Sequence, residues 1–136
     1  MIQRIQSVWL LLAAVATALT FKFPFYSGTM EGKQGTQYLL ASSNFFLLIL
    51  TVILTAGCLI LIFLYKERKR QLRLTIVAIL VSILILVIYF FQLRNFDGGA
   101  VALTSILSLI NPVLLFLAAK GIRHDEKLIK SLDRLR

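Results

Sequence analysis

The chain has 136 residues, of which 59% are hydrophobic and only 15% charged, and it carries a net charge of +9 from 15 basic and six acidic side chains. A soluble domain this small exposes too much surface to be covered by so few charges, since ordinary soluble chains run about 25% charged. A mean hydropathy of +0.87, a single cysteine and apolar residues gathered into four long blocks exclude a disordered chain, a disulfide scaffold and a coiled coil, and they point to membrane spans.

The first block, residues 5–21, contains no charge. Lys22 can reach back to a lipid surface, which gives a span of about 5–23 with room to extend toward Tyr26. Ala13, Ala14, Ala16 and Ala18 let a neighbouring backbone come close. A competing reading makes residues 1–18 a signal peptide, with Arg4 as its charged start and small residues at Ala16 and Ala18 before a cut. Cleavage would leave three spans without altering the remaining topology. The apolar run continues through Leu19 and Phe21, which favours retention and four spans.

Residues 23–41 form the longest connection. Phe23, Pro24, Phe25 and Tyr26 open it, and Gly28, Gly32 and Gly35 follow. Together with Tyr38, the aromatics read as an interfacial belt beside a flexible loop. The second block, 42–65, is uncharged and, as a helix, would be about 36 Å long, enough to cross a bilayer core with tilt. It sets Thr51, Thr55 and Cys58 at helical spacing. Hydroxyls bonded to their own helix carbonyls are the preferred reading over a polar seam used by a substrate. Cys58 has no partner for an internal disulfide and reads as a packing residue.

A basic turn at 66–73 leads to the third block, 74–91, dominated by Ile, Leu and Val. Only helices and closed barrels satisfy the backbone in hydrocarbon, and no block shows the alternation of a barrel strand, so this block too reads as helix. Tyr89, Phe90, Phe91 and Phe96 join the aromatic belt, and Asp97-Gly98-Gly99 signals a tight turn. The fourth block, 100–119, contains Asn111-Pro112. Proline there should kink the span and free a carbonyl near Ser108.

The tail, 120–136, sets Ile122, Ile129, Leu132 and Leu135 three or seven apart, with Leu128 widening the stripe and Lys127, Lys130, Arg134 and Arg136 on other faces. Glu126 precedes Lys130 by four, which supports a helix. This is a short amphipathic helix, lying on lipid or serving as a docking handle. His124 beside Asp125 and Glu126 is weak evidence for a metal or a catalytic base.

Charge sets the orientation. Arg4, the turn residues Lys66, Arg68, Lys69, Arg70 and Arg73, and the tail residues Lys120, Arg123, Lys127, Lys130, Arg134 and Arg136 fall on one side; Lys22, Lys33 and Arg94 fall on the other. Less Glu67, Asp125, Glu126 and Asp133, the first side nets +8; less Glu31 and Asp97, the second nets +1. The positive-inside rule then makes both termini cytoplasmic. The expected fold is an all-α, four-span protein of the bacterial inner membrane, with a basic cytoplasmic tail.

No Asp, Glu, Lys, Arg or His lies within the four blocks, so proton relays and acid–base pairs lack their usual components. The chain reads as a non-enzyme without cofactor or metal. Its candidate contacts for anionic phospholipid or a protein partner are Arg4, Lys66, Arg68, Lys69, Arg70, Arg73, Arg123, Asp125, Glu126, Lys127, Lys130 and Arg134. Lipid and topology account for the basic charge better than nucleic acid does. A small transporter or channel component, enclosing a path as a homo-oligomer, is the alternative.

The opening MIQRIQSVWLLLAA and the closing IRHDEKLIKSLDRLR resemble a family of small four-span membrane proteins of unknown function from Bacteroidota. The resemblance extends over essentially the whole chain, including YKERKRQLR and the Asn-Pro pair. It implies a retained first segment and brings no activity or cofactor. It directs attention to Gln3, Arg4, Gln6, Arg123, Asp125, Glu126, Lys127, Asp133 and Arg134.

Overall fold

The computed structural model describes residues 3–136, with Gln3 and Arg4 described by their backbone alone, so the contact expected of the Arg4 side chain lies outside the described residues. Four α-helices pack side by side: α1 (Gln3–Leu19), α2 (Phe45–Phe63), α3 (Arg68–Leu93) and α4 (Ile106–Arg134). Helix α1 lies against α2 and α4, and α3 closes the ring by packing on α2 and α4. Three of the helical segments are long and apolar enough to cross a membrane, and α1 is a shorter apolar helix.

The small residues of α1 fix how the helices approach. Ala13, Ala14 and Ala16 are buried beside Leu10, and Leu47, Leu61, Leu115 and Ile122 complete the interior from α2 and α4. The outward faces are equally apolar. Phe45, Phe46, Phe63, Leu80 and Phe116 are each more than half exposed, a surface far more apolar than a water-facing monomer presents.

The helix ends are chemically marked. Asn44 accepts from the Phe46 N–H at 3.1 Å and starts α2, which satisfies one of the donors that no helical carbonyl reaches. At the other end α2 tightens into a 3-10 turn, Leu64–Lys66. The buried Gln71 side chain donates to the Leu61 carbonyl at 2.9 Å, pinning the end of α2 to the start of α3. The basic residues 68–73 therefore lie in the first turns of α3 and extend it well before the apolar block.

Three expectations are corrected here. The fold is not all-α: β1 (Tyr26–Thr29), β2 (Gln37–Leu39) and β3 (Gly98–Val101) form an antiparallel sheet in the order β2-β1-β3. Residues 100–105, counted in the fourth apolar block, supply part of β3 and a 3-10 turn (Leu103–Ser105), and α4 begins only at Ile106. Residues 100 and 101 are used by strand pairing, where Ser27 faces Ala100 and Tyr26 faces Val101, and Gly28 faces Gly99 beside them. A Cβ on Gly28 would stand 2.2 Å from the Gly98 carbonyl oxygen, and one on Gly99 2.3 Å from that of Ser27, so glycine alone permits this pairing.

The second correction concerns the aromatics. Phe25 and Tyr89 are buried and stack face to face, with ring centroids 4.4 Å apart. Their stack joins the segment leading into β1 to α3, whereas Phe90, Phe91 and Tyr38 stay exposed as a belt would require. The third correction is at the tail, which forms no separate helix. Helix α4 runs unbroken through Pro112 to Arg134, 29 residues and hence about 43 Å.

Candidate functional site

The end of the bundle opposite the sheet gathers the termini of α1 and α4 with the α2–α3 turn. Gln6 donates through Nε2 to Oδ2 of Asp125, joining two residues 119 positions apart. Both are nearly inaccessible, at 6% and 5% exposure. Asp125 Oδ1 has no hydrogen-bond partner among the described residues. Arg68 Nη1 lies 3.4 Å from the Asp125 backbone oxygen, so α1, α3 and α4 meet at one residue. Gly121 makes room for this clasp, since a Cβ there would stand 3.0 Å from Cγ of Gln6. Asp125 was expected to face a partner or lipid; the structure turns it inward.

Two concavities flank the clasp. The first, a cleft of about 760 Å³, is lined by Lys66, Arg68, Lys69, Arg70 and Arg73 from the turn and α3, and by Lys130 from α4. Its walls also carry Glu67, Glu126 and Asp133. Arg70 pairs with Glu67 at 2.8 Å, and Lys130 with Glu126 at 2.9 Å. The Lys130 hydrogen bond holds the Glu126 carboxyl below its ordinary value, helped by the nearby positive charge of Lys69. Six candidate cations separated in sequence thus share one wall, and Glu126 stands among them.

The second concavity, about 770 Å³, crosses the outward face of α4 and reaches α1 and α3. Gln6, Lys120, Arg123, His124 and Lys127 form its polar part; Trp9, Ile79, Phe116 and Leu117 are among its apolar residues. Arg123 and Lys127 are therefore separated from the six cations of the first cleft. Arg134 lines neither concavity.

Deeper in the bundle, Thr17, Thr20, Thr51, Ser82, Ser108 and Asn111 surround a chamber of about 10 Å³, the size of a single water. Thr51 donates to Leu47 and Thr55 to Thr51, at 2.6 and 2.8 Å, so these hydroxyls serve their own helix as expected. Cys58 is buried in the core. Asn111 Oδ1 is buried without a hydrogen-bond partner among the described residues, and Pro112 cannot donate to the Ser108 carbonyl one turn back. Among the described residues, no group of three or more His, Cys, Asp and Glu side chains is placed to hold a metal ion.

Sequence reasoning gathered the cations and, through the family resemblance, pointed to Gln6 and Asp125 without pairing them; it missed Gln71, the other amide that locks helices together. Gln6 and Gln71 are uncharged side chains at the edges of apolar blocks, and that position is a usable signal for a buried amide.

These features define a class: a mostly helical chain with membrane-compatible apolar helices and a basic end built from three helices. The chain belongs to the family defined by a domain of unknown function, DUF4293, whose model matches residues 2–135. No curated protein and no solved structure matches it.

Proposed function

We propose that this is a four-span inner-membrane protein with cytoplasmic termini, acting without catalysis as an accessory subunit that holds a protein partner in the basic cleft. The observation that carries this reading is the convergence of Lys66, Arg68, Lys69, Arg70, Arg73 and Lys130 on one concavity with Glu67, Glu126 and Asp133. Mixed charge on a concave wall favours a partner of complementary pattern and rejects others by like-charge juxtaposition. The apolar outward faces of the helices support the membrane setting. The packing of α1 between α2 and α4 supports counting it as a span, because cleavage after Ala18 would strip Leu10, Ala13 and Ala14 from the core.

The test is the double variant Arg70→Glu with Arg73→Glu, both at exposed positions. It should stay in the membrane fraction with an unchanged melting temperature and lose the protein that co-purifies with the native chain. An identical complex from the double variant would overturn the reading. The alternative, a small transporter or channel component, requires several copies to enclose a path near Asn111 and Pro112. The internal chamber of about 10 Å³ is too small to serve as a path through a single copy, so this alternative stands or falls on the oligomeric state measured in native lipid.

A further inference from the structure

We propose that the concavity across α4 is a binding site for one anionic glycerophospholipid, with the phosphate held by Lys120, Arg123 and Lys127 and the acyl chains laid on Trp9, Ile79 and Phe116. The inference rests on the membrane reading above and goes beyond it to a second ligand and a second site. Its first support is the order of chemistry along the helix. Phe116, Lys120, Arg123 and Lys127 follow one another at spacings of four, three and four, which puts them on one face. The apolar residue lies deepest and the cations lie toward the basic end. Ile79 of α3 and Trp9 of α1 widen the apolar part. A lipid has the same layout, with an apolar body beneath a charged head.

The second support is the contrast between the two concavities. The cleft beside the turn mixes cations with three carboxylates. Among the described residues that line it, the concavity on α4 has no carboxylate, so a phosphodiester meets its cations with no acidic side chain on the wall. Arg offers a forked donor set matched to phosphate oxygens, and lysine adds point charges. A volume of about 770 Å³ lies within the range of ligand sites. A zwitterionic lipid gains the apolar contacts but little from the cations, so headgroup charge is the discriminating property.

The site contains its own reporter, because Trp9 is the only tryptophan in the chain. The full-length protein in non-ionic detergent would be titrated with phosphatidylglycerol brominated on its acyl chains, and separately with brominated phosphatidylcholine. Phosphatidylglycerol should quench Trp9 fluorescence saturably and at a lower mole fraction than phosphatidylcholine. Lys120→Gln, Arg123→Gln and Lys127→Gln together should weaken the phosphatidylglycerol response roughly 100-fold. Lys69→Gln, Arg70→Gln and Arg73→Gln together should leave it unchanged. Equal quenching by the two lipids, or an equal shift from both triple variants, would overturn the site while leaving the membrane reading intact. Quenching by neither lipid would overturn both.

Discussion

Gln6 and Asp125 show how much can depend on one amide. The carboxyl of Asp125 is 5% exposed, and Gln6 is the side chain bonded to its Oδ2. Replacing Gln6 by Leu removes that donor and leaves a buried carboxyl without compensation. Losing one partner of such a pair costs about 3 kcal/mol when the remaining group is acidic. Thermal unfolding in detergent should register this loss for Gln6→Leu. The double variant Gln6→Leu with Asp125→Leu should regain part of it, because both polar groups are then gone. A double variant less stable than either single one would argue that the two side chains act independently.

Glu126 makes a different prediction at the same scale. Its carboxyl is held below the ordinary value of 4.5 by Lys130. A depressed value in the folded state means that the pair stabilises fully above pH 4.5 and loses its contribution as pH falls through the lower folded value. The difference in melting temperature between the native chain and Glu126→Gln should therefore shrink as pH drops below 4.5. The effect will be small, since the Lys130 side chain is 64% exposed and such pairs are screened. A difference independent of pH would contradict the assignment. Neither residue's role was legible beforehand in the same degree. The four-residue spacing of Glu126 and Lys130 announces their pairing, whereas nothing local announces that residue 6 meets residue 125.

At the scale of elements, the four apolar blocks reported the helices well and their ends badly. Composition determines where a helix is comfortable in an apolar setting, but the ends are set by individual hydrogen bonds. Asn44 capping α2 and the strand pairing of residues 98–101 are two such cases. The sheet was not legible because strands of three and four residues are too short to display an alternating period. Its anchor is Phe25, 4% exposed and stacked on Tyr89. Phe25→Ala should destabilise the protein by about 3 kcal/mol through the lost burial and ring contact. The same change should raise hydrogen exchange in residues 26–29 and 98–101 more than in α2 or α3. Uniform exchange across all elements would show instead that the sheet is not a separately anchored unit.

For the whole molecule, the separation of charge is the organising feature. The basic residues that were widely spaced in sequence are brought to one end, while the sheet end carries few charges. The sequence revealed the asymmetry because counting by connection needs no tertiary information. It could not reveal that the basic end divides into a mixed-charge cleft and a carboxylate-free concavity. That division depends on which face of α4 packs inward, and Asp125 turning toward Gln6 helps set that face. If the orientation is as proposed, both surfaces lie where anionic headgroups and cytoplasmic proteins are available.

The most direct test of this account is the sidedness of labelling. On a Cys58→Ala background, single variants Gln34→Cys and Ser131→Cys place a thiol at an exposed position near each end. A membrane-impermeant maleimide would be applied to oriented membrane vesicles, intact and then permeabilised. Position 34 should react only from the outer side and position 131 only from the cytoplasmic side, with both reacting once the membrane is opened. Labelling of both positions from the same side, or of either from both sides of sealed vesicles, would contradict it.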